Sequence, residues 1–386
     1  AYEISLGLVG SEMCIRDRWM FELGHRSSVM LFGPDAVAAA FPRLRDGLRA
    51  RQLLREGDPG SVHGVIQPRK DELDPRSNMD LALSASALEN LGTCPLRYLH
   101  RSILKLYPPD DPELDPERWL DQRQRGVLLH QVFERILSRA RDQGLEFENS
   151  LFEKLAFETL EEAVLQMRTE VPVPGKGALK RDTSSLVSDV RSFVHMVRKF
   201  GVRWIALEKT FGLDGSDPVV MKLPGGQLRL RGKIDRVDED LEGMRVIDYK
   251  TGPAYGFAET GTFSGGRRLQ IALYAYAAES LFNSNIVSGE YHFSTTRGQN
   301  QVFDFDRQTL APVNELVDMM LNGVGEGSFI PTEDADDCKF CDSRDICRVT
   351  EGRYNKVVSP LTEWSKEQMS TGSSAAFDSF KRVRAL

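Results

Sequence analysis

The chain has 386 residues, of which 41% are hydrophobic and 28% are charged, and its formal net charge is −7. This length allows a sizeable buried core, and no apolar run is long enough to span a bilayer. The acidic balance excludes a protein that coats nucleic acid without specificity. No secretory signal is evident, so we expect a cytoplasmic protein that binds no membrane.

The N-terminal part of the chain contains no functional motif. Its opening run resembles a translated sequencing adapter, so we predict that residues 1–18 are not native and that Cys14 has no role. Residues 19–83 are irregular, and we predict that they are a lead-in, the remnant of a longer N-terminal region. A helix is then predicted to begin at Ser84, a residue type suited to an N-cap, and to lead into Cys94.

Helical periodicity dominates the next part of the chain. Apolar residues recur at helix spacing from Val127 to Arg139, within a helix predicted over 118–143. Two further helices are predicted near 150–170 and 183–200. His130 lies on the first of these helices, where a lone histidine is more often structural than functional.

Three strands follow, and they are predicted near 202–212, 226–238 and 243–250. Asp235 lies in the second strand, while Asp248 and Lys250 end the third. Side chains two apart on a strand point to one face, so Asp248 and Lys250 project together. A hairpin through 239–243 brings Asp235 beside them. Carboxylates that hold Mg²⁺ commonly share it with substrate phosphate, so this group indicates a metal-dependent phosphodiesterase. A surface hairpin with ordinary charges is the alternative for this pattern alone.

The remaining elements complete an α-β-β-β-α-β order, and they are predicted at 268–282 (helix), 288–295 (strand) and 307–322 (helix). Gln270 and Tyr274 are four residues apart on the first of these helices, so they share a face. Glu208, in the first strand, fits a role near a metal and a role as a strand-surface acid equally well. Residues 351–386 are predicted to form a polar C-terminal tail.

Four short motifs occur in a fixed order along the chain: Gly126-x3-His130, Gly232-x2-Asp235-Arg236-x-Asp238, Asp248-Tyr249-Lys250-Thr251-Gly252 and Gln270-x3-Tyr274. Each motif is weak by itself, but the ordered set resembles the nuclease domain of the RecB/AddB family, in the PD-(D/E)XK superfamily. The resemblance covers residues 84–350. It implies an α/β protein with a restriction-endonuclease-like core, helical insertions and a flank joined by an iron–sulfur cluster.

The resemblance also implies roles for the motif residues. His130, Asp235 and Asp248 match metal-binding positions for Mg²⁺ or Mn²⁺, and the Tyr249 carbonyl is a further candidate ligand. Lys250 matches the catalytic lysine. The family's positions near the scissile strand match two residues, Gln270 and Tyr274.

Four cysteines form a second candidate site. Cys94 precedes the nuclease motifs, whereas Cys338, Cys341 and Cys347 form a C-x2-C-x5-C run after them. Four thiolates suit zinc or an iron–sulfur cluster, and spacing alone favours zinc. AddB-like and CRISPR-associated RecB-type nucleases have one cysteine before the core and three after it. The resemblance therefore implies a structural 4Fe-4S cluster.

These observations together predict a metal-dependent deoxyribonuclease. The leading interpretation is an exonuclease that acts on DNA ends within an AddB-like recombination and double-strand-break repair complex, with a helicase partner subunit. One alternative is a stand-alone or CRISPR-associated nuclease with an iron–sulfur cluster. Another is a non-catalytic DNA-binding scaffold, which would require a broken active site. The sequence has no Walker A run, so we expect no ATP hydrolysis by this chain.

Overall fold

The computed structural model describes residues 42–108, 115–200, 203–255, 257, 261–351, 356–371 and 377–385. The adapter-like segment 1–18, with Cys14, lies outside the described residues. The chain divides into a smaller unit that ends at His63 and a larger unit that begins at Gly64. In the smaller unit, the described residues form helix α1, Pro42–Glu56, and one 3-10 turn. The larger unit contains all of the motifs.

The larger unit mixes helices and strands. Its α-helices are α2 Lys70–Leu73, α3 Ala85–Thr93, α4 Pro95–Tyr98, α5 Gln122–Asp142, α6 Ser150–Glu170, α7 Lys176–Phe200, α8 Gln270–Phe282, α9 Arg307–Leu310, α10 Val313–Gly325, α11 Pro360–Thr371 and α12 Asp378–Arg384. Its strands are β1 Ala82–Ser84, β2 Trp204–Phe211, β3 Val219–Leu223, β4 Gly226–Glu239, β5 Met244–Tyr249, β6 Ile286–His292, β7 Val302–Asp306, β8 Thr350–Glu351 and β9 Val357–Val358.

Seven strands form one mixed sheet in the order β1-β4-β5-β6-β7, and β2 and β3 also pair with β4. Strand β4 is long enough to pair with β1 and β3 near its start and with β2 and β5 near its end. Strands β5 and β6 are parallel, and α8 is the crossover that parallel neighbours require. The predicted α/β fold with a restriction-endonuclease-like order of elements is confirmed.

Helices α5, α6 and α7 pack beside the sheet and form most of one hydrophobic core. A capping box between Asp121 and Gln124 starts α5, and the apolar residues predicted at helix spacing lie on its buried face. The rings of Phe133 on α5 and Phe193 on α7 stack with centroids 4.0 Å apart. Both rings meet the ring of Tyr249 edge-on, at 5.4 and 5.6 Å. This aromatic group attaches the helical layer to β5.

Several elements differ from the sequence prediction. Strands β3 and β7 were not predicted, although β3 alternates between buried and exposed residues. The helix predicted over 307–322 is two helices, because α9 ends at Leu310 and α10 begins after Pro312, whose ring and missing N–H interrupt a helix. Helix α7 begins at Lys176 instead of 183.

The segment predicted to be a polar tail contains helices α11 and α12. Trp364 on α11 is only 2% exposed and lies 5.6 Å from the ring of Phe377, measured between centroids. Arg384 on α12 donates to the Thr93 carbonyl oxygen at 2.7 Å. The described part of this segment is thus folded around buried aromatic side chains. No helix in the described ranges is long and apolar enough to cross a membrane.

Candidate active site

The β4–β5 hairpin brings three predicted residues together. Arg236 pairs with Ile247 in the antiparallel register, which places Asp235 across from Asp248. The Tyr249 amide donates to Asp235 Oδ2 at 2.8 Å. Asp248 is 1% exposed, and its Oδ2 lies 2.7 Å from Lys250 Nζ. A backbone amide therefore holds the carboxylate of Asp235, and the ammonium group of Lys250 pairs with the carboxylate of Asp248.

His130 and Glu208 reach the same place from α5 and β2. His130 Nδ1 lies 3.4 Å from Asp235 Oδ2. Glu208 lies across the β2–β4 pair from Asp235, and its carboxylate also contacts Lys233 Nζ. One donor atom from each of His130, Glu208 and Asp235 lies within 4.8 Å of the others. This arrangement of two carboxylates and an imidazole could hold a metal ion.

The charges of this group are poorly balanced without a cation. Burial raises the pKa of Asp248 to about 6, against the lowering effect of Lys250, and the charge of Asp235 adds to the rise. Burial likewise raises the pKa of Glu208. Burial alone would lower the pKa of His130, but the Asp235, Asp248 and Glu208 carboxylates outweigh it, so the pKa is raised. A bound divalent cation would favour the ionised carboxylates.

Gln270 and Tyr274 lie beside Lys250 at the start of α8. Lys250 Nζ donates to Gln270 Oε1 at 2.7 Å. Tyr274 follows one turn later, is 8% exposed, and meets the ring of Phe211 edge-on at 6.1 Å. Burial raises the pKa of the Tyr274 hydroxyl, so this residue is a neutral hydrogen-bonding group. The structure thus brings all the predicted site residues of this group to one region.

Two glycines of the motifs, Gly126 and Gly232, lie close to side chains of neighbouring elements. A Cβ on Gly232 would lie 2.9 Å from the ring of Phe211 and 3.1 Å from the ring of Tyr274. A Cβ on Gly126 would lie 3.4 Å from the Thr251 hydroxyl oxygen. A side chain at position 232 would therefore push Phe211 or Tyr274 away from β4, whereas a Cβ at position 126 would only make an ordinary contact with Thr251.

Two buried residues behind the site had no predicted role. Arg236 Nη1 donates to the Tyr249 hydroxyl at 2.8 Å, and Arg236 Nη2 pairs with Asp238 Oδ2 at 2.6 Å. Both side chains are almost fully buried. They fix Tyr249, whose amide holds Asp235. Arg236 and Asp238 belong to the motif that begins at Gly232, and this was the feature of the sequence that could have indicated a role for them.

Glu208 has an unusual backbone conformation. Its φ is +47°, in the left-handed region that non-glycine residues rarely adopt. Such a conformation costs on the order of 1–3 kcal/mol and often occurs at functional sites. The strain accompanies a position that turns the carboxylate toward His130 and Asp235.

The four predicted cysteines also lie together. Cys94, Cys338, Cys341 and Cys347 line one small pocket between the start of α4 and the C-terminal loop, and all four are free thiols. The Thr332 amide donates to Cys94 Sγ at 3.4 Å. Burial raises the pKa of Cys94 to about 12, so this thiol is protonated unless a bound metal ion stabilises the thiolate.

Basic residues near the cysteines pair with acidic residues of the cysteine loop. Arg101 lies 3.0 Å from Asp342 and Arg97 lies 3.9 Å from it, measured between side-chain nitrogen and oxygen. Arg267 Nη2 lies 2.8 Å from Asp337 Oδ2. These arginines therefore connect α4, the helical turn Leu99–Ile103 after it and the loop before α8 to the cysteine segment.

Comparison with known proteins identifies the family. A model of the PD-(D/E)XK nuclease superfamily matches residues 82–348, more than half of the chain. The chain belongs to the PD-(D/E)XK nuclease superfamily. Its similar relatives include proteins named as a subunit of an ATP-dependent helicase/deoxyribonuclease. The one from Desulforudis audaxviator is 28% identical over 205 residues, 48% of this chain and 17% of that protein.

Two further relatives bear the same name. The protein from Symbiobacterium thermophilum is 29% identical over 217 residues, 51% of this chain and 17% of that protein. The protein from Carboxydothermus hydrogenoformans is 26% identical over 241 residues, 58% of this chain and 21% of that protein. The matched region of this PD-(D/E)XK chain thus corresponds to about a fifth of the length of these relatives.

Proposed function

We propose that this chain is a deoxyribonuclease that hydrolyses DNA phosphodiesters with Mg²⁺ or Mn²⁺. The observation that supports it is the donor group of His130, Glu208 and Asp235 beside the Asp248–Lys250 ion pair. The three donors suit a hard cation. Burial raises the pKa of Glu208 and of Asp248, and a bound cation would favour their ionised forms. Membership of the superfamily supports the same reaction.

The donor set assigns a role to each residue. His130, Glu208 and Asp235 would hold the cation, and Asp248 would complete the site from the adjacent strand. When bound, the cation lowers the pKa of its water and stabilises charge that develops on the phosphoryl group. The Tyr249 carbonyl is a further candidate ligand.

The remaining residues act on the substrate. Lys250 presents a compact positive charge that would neutralise a phosphate oxygen or orient the attacking water. Gln270 holds the Lys250 ammonium in place at 2.7 Å. Tyr274, kept neutral by burial, would donate a hydrogen bond to the DNA backbone.

We further propose that the nuclease is an exonuclease on DNA ends and works with a helicase partner in recombination and double-strand-break repair. The name of the relatives, a subunit of an ATP-dependent helicase/deoxyribonuclease, supports the helicase partner. Action on DNA ends in repair is what the RecB/AddB resemblance implies. In this proposal residues 84–350 form the nuclease domain. Residues 64–83 pack with it, since Arg76 pairs with Asp318 of α10 at 2.7 Å.

A 4Fe-4S cluster bound by Cys94, Cys338, Cys341 and Cys347 is also proposed. The support is that four free thiols line one pocket, in the order that the RecB/AddB resemblance implies. Four thiolates satisfy such a cluster. The cluster would join α3 and α4 to the segment that follows the nuclease motifs.

The nuclease proposal is tested on three substrates of one sequence. Linear duplex, single-stranded and covalently closed circular DNA are incubated with the protein in Mg²⁺, in Mn²⁺ and in EDTA. We expect both ions to support cleavage of linear DNA, the circle to resist, and EDTA to stop the reaction. Cleavage of the circle would contradict the exonuclease proposal. Absence of cleavage of every substrate would contradict the nuclease proposal.

A further inference from the structure

We propose that Glu89 is a positioning residue of the nuclease reaction, which fixes the start of α8 and, through Gln270, the ammonium group of Lys250. The inference rests on the proposed function and adds a residue from α3, outside the four motifs. Glu89 makes no described hydrogen bond or ion pair with Asp235, Asp248 or Lys250. Its charge acts on Lys250 only through space, and its hydrogen bonds go to the start of α8.

The side chain of Glu89 caps α8. The backbone amides of Leu269 and Gln270 both donate to Glu89 Oε1 at 2.9 Å. Leu269 is the N-cap residue of α8, and it makes no capping hydrogen bond through its own side chain. The first amides of a helix have no partner within the helix, and a carboxylate there also interacts favourably with the helix dipole. Glu89, on α3, therefore supplies the capping acceptor that the side chain of Leu269 does not provide.

A single residue, Gln270, connects this cap to the catalytic lysine. Its amide donates to Glu89, and its side-chain oxygen accepts a hydrogen bond from Lys250 Nζ at 2.7 Å. The same Nζ lies 2.7 Å from Asp248 Oδ2. A shift at the start of α8 therefore moves the group that orients Lys250, and small displacements of catalytic groups reduce rates strongly.

Close packing makes α3 a firm support for this contact. A Cβ on Gly92 would lie 1.9 Å from the Gly266 carbonyl oxygen, so the backbone of α3 touches the loop that leads into α8. Arg384 donates to the carbonyl oxygens of Gly92 and Gly265 and thus bridges the two segments. Helix α3 ends at Thr93, next to Cys94. Glu89 consequently links the cysteine-bearing end of α3 to the active site.

The first experiment compares Glu89→Ala with Glu89→Gln by steady-state cleavage of linear DNA in Mg²⁺. Glutamine retains an oxygen that accepts the two amides, whereas alanine does not. We expect Glu89→Ala to lower kcat by about 10- to 100-fold, as loss of a supporting partner does, with KM within a few fold. Glu89→Gln should recover most of kcat. Should Glu89→Ala not fold, Glu89→Asp, which is one methylene too short to reach, replaces it.

Ser84→Ala is the matched control, because it removes the 3.2 Å cap bond from the Ala87 amide to Ser84 at the start of the same helix, and no hydrogen bond or ion pair of Ser84 with α8 is described. It should lower the melting temperature and leave kcat unchanged. A fall in kcat with Ser84→Ala as large as with Glu89→Ala would overturn the proposal, because general loosening of α3 would then explain both.

A double-mutant cycle with Gln270→Ala separates positioning from stability. If Glu89 acts through Gln270, Glu89→Ala should change kcat by no more than a few fold in the Gln270→Ala background. An equal fold-change in both backgrounds overturns the proposal while wild-type cleavage upholds the nuclease function. A wild-type protein that cleaves no DNA overturns the nuclease function itself, and the inference with it.

Discussion

The carboxylate of Asp235 lies between a backbone donor and an imidazole, and Glu208 approaches it from β2. Its Oδ2 accepts the Tyr249 amide at 2.8 Å and lies 3.4 Å from His130 Nδ1. The neighbouring carboxylates of Asp235 and Glu208 repel each other unless a cation lies between them. The charge of Asp235 accordingly adds to the burial that raises the pKa of Glu208.

Glu208→Gln is expected to weaken metal binding. It keeps the size of the side chain and removes one of the charges that attract a hard cation. The Mg²⁺ concentration for half-maximal cleavage should rise on the order of 10-fold or more, and Mn²⁺ binding by calorimetry should weaken in parallel. Glu239→Gln, an exposed change at the end of β4, is the control. Identical metal dependence in the two variants would assign Glu208 to the strand surface.

The sequence predicted the neighbours of Asp235 on its own hairpin, but it left Glu208 of β2 equally divided between a role near a metal and a place on the strand surface. Alternation along a strand and a short turn place Asp235, Asp248 and Lys250 on one face without further information. Glu208 required the β2–β4 register, which contains an irregularity between Trp204 and Ala206. A bulge changes which side chain faces the site, and no local pattern announces it.

Strand β4 and helix α8 meet at Gly232. The rings of Phe211 and Tyr274 occupy the space where a side chain would project, at 2.9 and 3.1 Å from a Cβ. A glycine in a strand interior often marks such a close approach. The glycine therefore sets the distance between the strand that holds Asp235 and the helix that holds Gln270.

Gly232→Ala is expected to destabilise the protein by overpacking, by about 1–3 kcal/mol. Thermal unfolding measures this, and cleavage should fall because Tyr274 is displaced. Gly177→Ala is the control, since a Cβ there meets nothing within 4 Å and alanine favours the helix by up to about 1 kcal/mol. Equal melting temperatures for Gly232→Ala and wild type would contradict this close packing of β4 against α8.

The sequence predicted the helices that have a long run of regularly spaced apolar residues. It missed short elements, whose structure depends on contacts with distant parts of the chain. Helix α6 matches its predicted range of 150–170, because its buried face repeats over five turns. Strands β3 and β7 have five residues each, too few to separate a strand from a loop by pattern. The tail helices were missed because their buried aromatic residues, such as Trp364, are sparse.

At the scale of the whole molecule, the cysteines join parts of the chain that are distant in sequence. Cys94 follows α3, and the other three lie beyond the nuclease motifs. A cluster across this distance would reduce the entropy of the unfolded chain. Thr332 contacts Cys94 and Thr362 contacts Cys338, each at 3.4 Å. The segments around the pocket therefore make direct contacts with the cysteine sulfur atoms.

Anaerobically purified protein is expected to contain four irons per chain with matching labile sulfide. Stoichiometric zinc without iron would contradict the cluster and indicate a four-cysteine zinc site. Elemental analysis decides between them, and the brown colour of an iron–sulfur protein is a second observation.

Cys341→Ser is expected to lower thermal stability and to expose new protease sites near 84–110 and 330–350, while the 200–300 core resists longer. Cys14→Ser, in the adapter-like segment, should change neither result. If Cys341→Ser keeps wild-type melting and protease resistance but loses cleavage, the cluster would act in catalysis or redox sensing instead of structure.

The most direct measurement is single-turnover cleavage of end-labelled linear DNA in Mg²⁺ by the wild type, Asp248→Ala and Lys250→Ala. Lys209→Ala, an exposed lysine on β2 of the same sheet, is the control. The account predicts cleavage by the wild type and Lys209→Ala, none by the other two, and four similar circular dichroism spectra. Near-wild-type cleavage by either Asp248→Ala or Lys250→Ala would contradict the assignment of the active site.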